Sequence, residues 1–104
     1  MIRTYLELEV RPGAADGLTA FFERQNILST SVAQQGCRSA QLTISSDGEA
    51  AVVTAEWDDA EAYERWVSRS DRETDAEELS GFLKRPVGAD TIGRVFSVVL
   101  DGAS

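Results

Sequence analysis

Apolar residues recur at every second position at the start of the chain. Ile2, Leu6, Leu8 and Val10 share one face with Thr4, while Arg3, Tyr5, Glu7 and Glu9 lie on the other. A period of two predicts a strand with one buried face. Arg11-Pro12-Gly13 ends it, because proline has no N–H to give a ladder and glycine permits the turn. The period then lengthens. Leu18, Phe21, Phe22, Leu28 and Val32 fall at helical spacing, which predicts one helix over residues 15–34 with Gly36 as its stop. Gln25 lies within that apolar stripe and Asn26 beside it.

Alternation returns after Gly36. Ser46-Asp47-Gly48-Glu49 predicts a hairpin, and Asp-Gly suits a two-residue type I′ turn. With Asp47 and Gly48 at the tip, Ile44 pairs with Ala51, Leu42 with Val53, Ala40 with Ala55, and Arg38 with Trp57. That face is mostly apolar. The other carries Ser39, Gln41, Thr43, Val52, Thr54 and Glu56 and is mixed. Asp58 with Glu61 predicts the start of a second helix, its carboxylates near the positive end of the dipole. This helix is expected to bury Ala60, Tyr63, Trp66 and Val67. Ser70 or Thr74, followed three residues later by Glu73 or Glu77, opens a further helical piece. Leu79, Phe82 and Leu83 form its apolar side, and Pro86-Val87-Gly88 breaks it. Residues 91–100 read as a last strand, apolar on both faces toward its end.

The order strand, helix, strand, strand, helix, strand predicts an α+β chain. It is the ferredoxin-like split βαβ pattern with a four-stranded antiparallel sheet. One domain is expected over residues 1–104, with its core in 2–100 and a tail in 101–104. Helices can cover only one face of such a sheet, and the last strand asks for cover on both. A second copy of the sheet provides it, so a homodimer packed sheet to sheet is expected.

Charge and rare residues narrow the chemistry. The 104 residues carry a net charge of -8. Ten acidic residues fall in 56–78 against Arg65, Arg69 and Arg72, so a nucleic-acid partner is not expected. No apolar run is long enough to span a membrane, and the N-terminus lacks a signal-peptide core, which points to the cytoplasm. There is no histidine, and Cys37 is the single cysteine. Catalytic sets built on histidine are therefore impossible, and Cys37 alone cannot anchor zinc. No Gly-rich phosphate loop occurs. Glu56, Asp58, Asp59 and Glu61 are spaced for a helix start rather than a metal. If the protein is an enzyme, the reactivity must come from its substrate.

Four pieces in order resemble the antibiotic biosynthesis monooxygenase family: Arg11-Pro12-Gly13 after the first strand, Gly36-Cys37 before the second, Glu56-Trp57 ending the third, and Glu61-Ala62-Tyr63 leading to Trp66. The resemblance spans about residues 2–100. It implies a dimeric α+β barrel with a pocket between sheet and helices. It also implies, for some members, cofactor-independent oxygenation of aromatic polyketides of the anthrone type by dioxygen. Other relatives degrade haem with a strand asparagine, a helix tryptophan and a histidine. Trp66 matches the tryptophan, but the other positions fall at Leu6 and Ala76, so haem degradation is not expected.

Trp66, on this resemblance, and Asn26, as an amide beside the apolar stripe that could hold an enolate or a peroxide, are the candidate catalytic residues. Tyr63, Leu6, Phe22, Arg38, Arg69 and Arg72 are the candidate substrate contacts, with no metal and no cofactor. Each has an ordinary alternative. Trp66 and Tyr63 serve equally as core side chains, and Asn26 as a cap or a solvated amide. Arg69 and Arg72 serve as ion pairs on an acidic helix, and Arg38 as an edge residue reaching water. A binding or dimerisation module, or a cyclase or isomerase on the same scaffold, is the alternative function.

Overall fold

The computed structural model describes residues 1–68, 76–87 and 93–102. Its elements are β1 (Ile2–Glu9), α1 (Ala15–Arg24), α2 (Ile27–Val32), β2 (Cys37–Ile44), β3 (Ala50–Trp57), α3 (Ala60–Val67), α4 (Ala76–Ser80) and β4 (Arg94–Ser97). The four strands form one antiparallel sheet in the order β2-β3-β1-β4. This is the ferredoxin-like arrangement that the alternating pattern predicts.

The helix expected over 15–34 is two helices. Asn26 takes the left-handed conformation at φ 53°. Its N–H donates to the Glu23 carbonyl, closing α1, and its own carbonyl accepts from Thr30 N–H, opening α2. A left-handed residue cannot continue a right-handed helix, and asparagine is among the few side chains that enter this region readily. The chain therefore turns at Asn26, and Gly36 stops no helix. Gly36 instead sits at φ 90°, where an added Cβ would lie 2.7 Å from Ala62 Cβ. Its carbonyl accepts from Asp58 N–H at 2.7 Å.

The hairpin register is the expected one for Ile44 with Ala51, Leu42 with Val53 and Ala40 with Ala55. The turn is not type I′. Only Gly48 has positive φ, and its N–H donates to the Ser45 carbonyl, so the loop runs over four residues. The pairing of Arg38 with Trp57 is also corrected. A bulge places Cys37 opposite Trp57 and leaves Arg38 without a rung. Arg38 turns to solvent and pairs with Asp58 at 2.6 Å. Asp59, not Asp58, caps α3, accepting from Ala62 N–H at 2.9 Å. That offset buries Ala62 with Tyr63, half-buries Trp66 and Val67, and leaves Ala60 exposed.

The last strand is shorter than the pattern suggests. Beyond Ser97, Val98 N–H still donates to the Met1 carbonyl. Val99 and Leu100 then have no neighbouring strand among the described residues and are 83% and 91% exposed. Ile92 and the proposed caps Ser70 and Thr74 lie outside the described residues.

The core is split in two. One cluster joins Leu8, Val10 and Ala51 of the sheet side to Leu18, Phe21, Phe22 and Leu83. The other joins Ile2, Ala55 and Trp57 to Ala62 and Tyr63. In the register between them lies the pair Leu6 and Val53, which is only half-buried.

Candidate functional site

The gap between the two clusters is a cavity of about 220 Å³. Its floor is the sheet, through Thr4, Leu6, Ala40, Val53, Ala55 and Trp57. Its roof is helical: Phe22 and Gln25 from the end of α1, Ile27 to Ser31 in part from α2, Tyr63 and Trp66 from α3, and Ala76 and Leu79 from α4. After the break at Asn26, α2 packs against β2, and Ile27, Leu28, Thr30 and Ser31 join the lining.

Aromatic rings form one end. Trp57 is 1% exposed. Its ring centroid lies 5.5 Å from Tyr63 and 6.5 Å from Trp66, with an interplanar angle of 35° to the latter. Such tilted contacts suit ring quadrupoles. Trp57 Nε1–H donates to Thr4 Oγ1 at 3.2 Å. Gly93 N–H donates to Tyr63 Oη at 2.7 Å. Ser31 Oγ lies 3.7 Å from Cys37 Sγ.

The described lining is neutral throughout, with no carboxylate, ammonium or guanidinium. Charge is kept outside it: Arg3 pairs with Glu56, and Arg24 with Glu78. Among the described residues no cluster of three or more His, Cys, Asp or Glu is placed to hold a metal ion. No described helix is long and apolar enough to cross a membrane.

Of the residues singled out from sequence, Trp66, Tyr63, Leu6 and Phe22 come together around this cavity. Asn26 is exposed and borders a second, more open depression with Thr19, Glu23 and Leu42. Arg38 is on the outside, paired to Asp58. Arg69 and Arg72 lie outside the described residues. The sequence reading did not single out Thr4, Thr30 or Ser31 as lining residues. Thr4 left one signal, a lone polar side chain on the apolar face of the first strand. Trp57 both packs in the core and walls the cavity.

Known structures share the fold. Rv0793 from Mycobacterium tuberculosis superposes with a TM-score of 0.73 at 24% identity, covering 99% of this chain and 98% of that one. SnoaB from Streptomyces nogalater, a cofactor-independent oxygenase, superposes with a TM-score of 0.74 at 18% identity, covering 96% and 94%. At these identities the likeness is one of fold. No curated protein matches the sequence significantly. Residues 1–74, which carry β1 through α3, match the antibiotic biosynthesis monooxygenase family. With the family's sequence signal over most of its length and a ferredoxin-like sheet beneath a helix-roofed cavity, the chain belongs to the antibiotic biosynthesis monooxygenase family.

Proposed function

We propose that this protein is a cofactor-independent monooxygenase that oxidises an aromatic polyketide or a similar phenolic molecule with dioxygen. The observation that carries this reading is the neutral, aromatic-walled cavity between sheet and helices. Such a wall orients a planar substrate and shields it from water. The substrate loses a proton, and its electron-rich anion passes an electron to dioxygen. Recombination puts one oxygen atom on the ring carbon. For a methylene carbon the second oxygen leaves as water with both hydrogens, so CH2 and O2 become C=O and H2O.

Trp66, Tyr63, Phe22 and Leu6 shape the site in this proposal. An engineered apolar cavity of about 150 Å³ takes benzene, so 220 Å³ accommodates a two-ring skeleton, and a third ring needs some widening. We place the protein in the cytoplasm as a single domain that works as a homodimer. The face away from the helices carries Tyr5, Val52 and Phe96, and Val99 and Leu100 project beyond it. A second copy covers these residues.

The test is oxygen uptake by metal-free protein with an anthrone and with a bicyclic phenol, corrected for autoxidation, with quinone followed optically. Protein-dependent uptake matched to quinone is expected, reduced about tenfold or more by Trp66→Ala through lost substrate orientation. Ligand bound but unchanged, without uptake, would replace this reading with a binding module. The lack of any carboxylate, amine or imidazole in the described lining favours that second reading.

A further inference from the structure

Two hydroxyls at the aromatic end of the cavity share an arrangement. Thr4 is 4% exposed and Tyr63 8%. Each oxygen already accepts from an N–H that can only donate: Trp57 Nε1–H to Thr4 Oγ1, and Gly93 N–H to Tyr63 Oη. A hydroxyl has one hydrogen to give. With the oxygen used as acceptor, that hydrogen must find its partner elsewhere. Neither hydroxyl has an acceptor among the described residues. A buried donor left without one costs about 1–3 kcal/mol, so both favour an incoming acceptor.

The two groups belong to one wall. Thr4 is bonded to the indole N–H of Trp57, and the Tyr63 ring packs on the same indole. An added Cβ at Gly93 would lie 3.1 Å from both the Tyr5 carbonyl and Tyr63 Oη. Tyr63 Oη therefore sits close to the β1 backbone one residue beyond Thr4, and a side chain at Gly93 would crowd both.

We infer that Thr4 and Tyr63 form a two-donor site for an acceptor oxygen on the ring ligand: a ketone, or the enolate or phenolate oxygen it becomes. Trp57 and Gly93 are the positioning residues that set the polarity of the two hydroxyls. The site selects aromatic ligands bearing such an oxygen over the bare hydrocarbon, and it stabilises the oxygen more as negative charge builds. This rests on the cavity being the substrate site of the proposed oxygenase, but its test needs no turnover.

The probes are 1-tetralone and tetralin, one bicyclic skeleton with and without a carbonyl oxygen. Binding is read by quenching of Trp57 and Trp66 fluorescence. Thr4→Val and Tyr63→Phe are each expected to lower the ketone-to-hydrocarbon affinity ratio about three- to tenfold, the worth of one hydrogen bond. Thr4→Ser keeps the hydroxyl and is expected to keep the ratio. Tetralin binding checks that the cavity survives in each variant. An unchanged ratio in both Thr4→Val and Tyr63→Phe overturns the inference, as does failure of the wild type to bind either probe. Selectivity without oxygen uptake would sink the oxygenase reading alone, and uptake with an unchanged ratio the donor pair alone.

Discussion

Asn26 illustrates how a residue's backbone and side chain can serve different ends. In the sequence it is a polar residue next to an apolar stripe, and the amide invites a chemical role. In the fold its backbone is the joint between α1 and α2, and its side chain is exposed. Two substitutions separate the roles. Asn26→Ala is expected to cost about 1 kcal/mol in urea unfolding, because alanine resists the left-handed region. Asn26→Gly enters that region freely and is expected to hold stability within a few tenths of a kcal/mol. Oxygen uptake is expected to survive in Asn26→Gly; its loss from a folded variant would restore the amide to the chemistry. Thr4 is the converse. Its place on the buried face is visible from alternation, but its bond to Trp57 joins residues 53 apart in sequence, and no local rule anticipates it.

At the scale of elements, strand pairing was legible and its interruptions were not. Alternation fixes which residues face the core, since a one-residue slip would expose the whole apolar set. That is why Ile44, Leu42 and Ala40 meet their expected partners. The bulge at Arg38 adds one residue without breaking the inward pattern beyond it, so periodicity cannot announce it. The hairpin tip is held by polar contacts. Asp47 Oδ1 accepts from Ser45 Oγ at 2.6 Å and from Glu49 N–H at 2.9 Å. These bonds, the Ser45 hydroxyl first and then the Glu49 amide, hold the Asp47 carboxyl below its ordinary value of 3.8. A depressed folded value means the ionised form stabilises the fold above the ordinary carboxylate range. That contribution is lost as the pH falls through the folded value. Asp47→Ala is therefore expected to unfold at lower temperature than wild type near neutral pH. The difference should shrink in acid below about pH 4; a gap independent of pH would show that the charge contributes nothing.

Across the whole molecule, the uneven distribution of apolar residues matters most. Inward-facing side chains gather at the two ends of the sheet and leave the middle to Thr4, Leu6 and Val53, so the core closes around a space. On the opposite face Tyr5 and Phe96 meet edge to face at 5.3 Å, with the Arg94 guanidinium 5.0 Å from the Phe96 ring. Phe96 stays 42% exposed. In the proposed homodimer this cluster is buried against its copy. Phe96→Glu would bury two related charges at that interface, and a shift from dimer to monomer in sedimentation is expected. A wild-type monomer at micromolar concentration would remove the dimer from the proposal.

The order of the strands, the sheet's inward face, the hairpin register as far as Ala40 and Ala55, and the absence of histidine from the chemistry were all determined by the sequence alone. Each follows from periodicity, turn residues or composition, which act over a few neighbours. The tertiary structure decided where α1 breaks, which carboxylate caps α3, and that Arg38 leaves the apolar face. It also decided that Thr4, Tyr63 and Trp57 share one wall. These depend on which distant backbones and side chains meet, because a hydrogen bond between residues far apart in the chain has no period to reveal it.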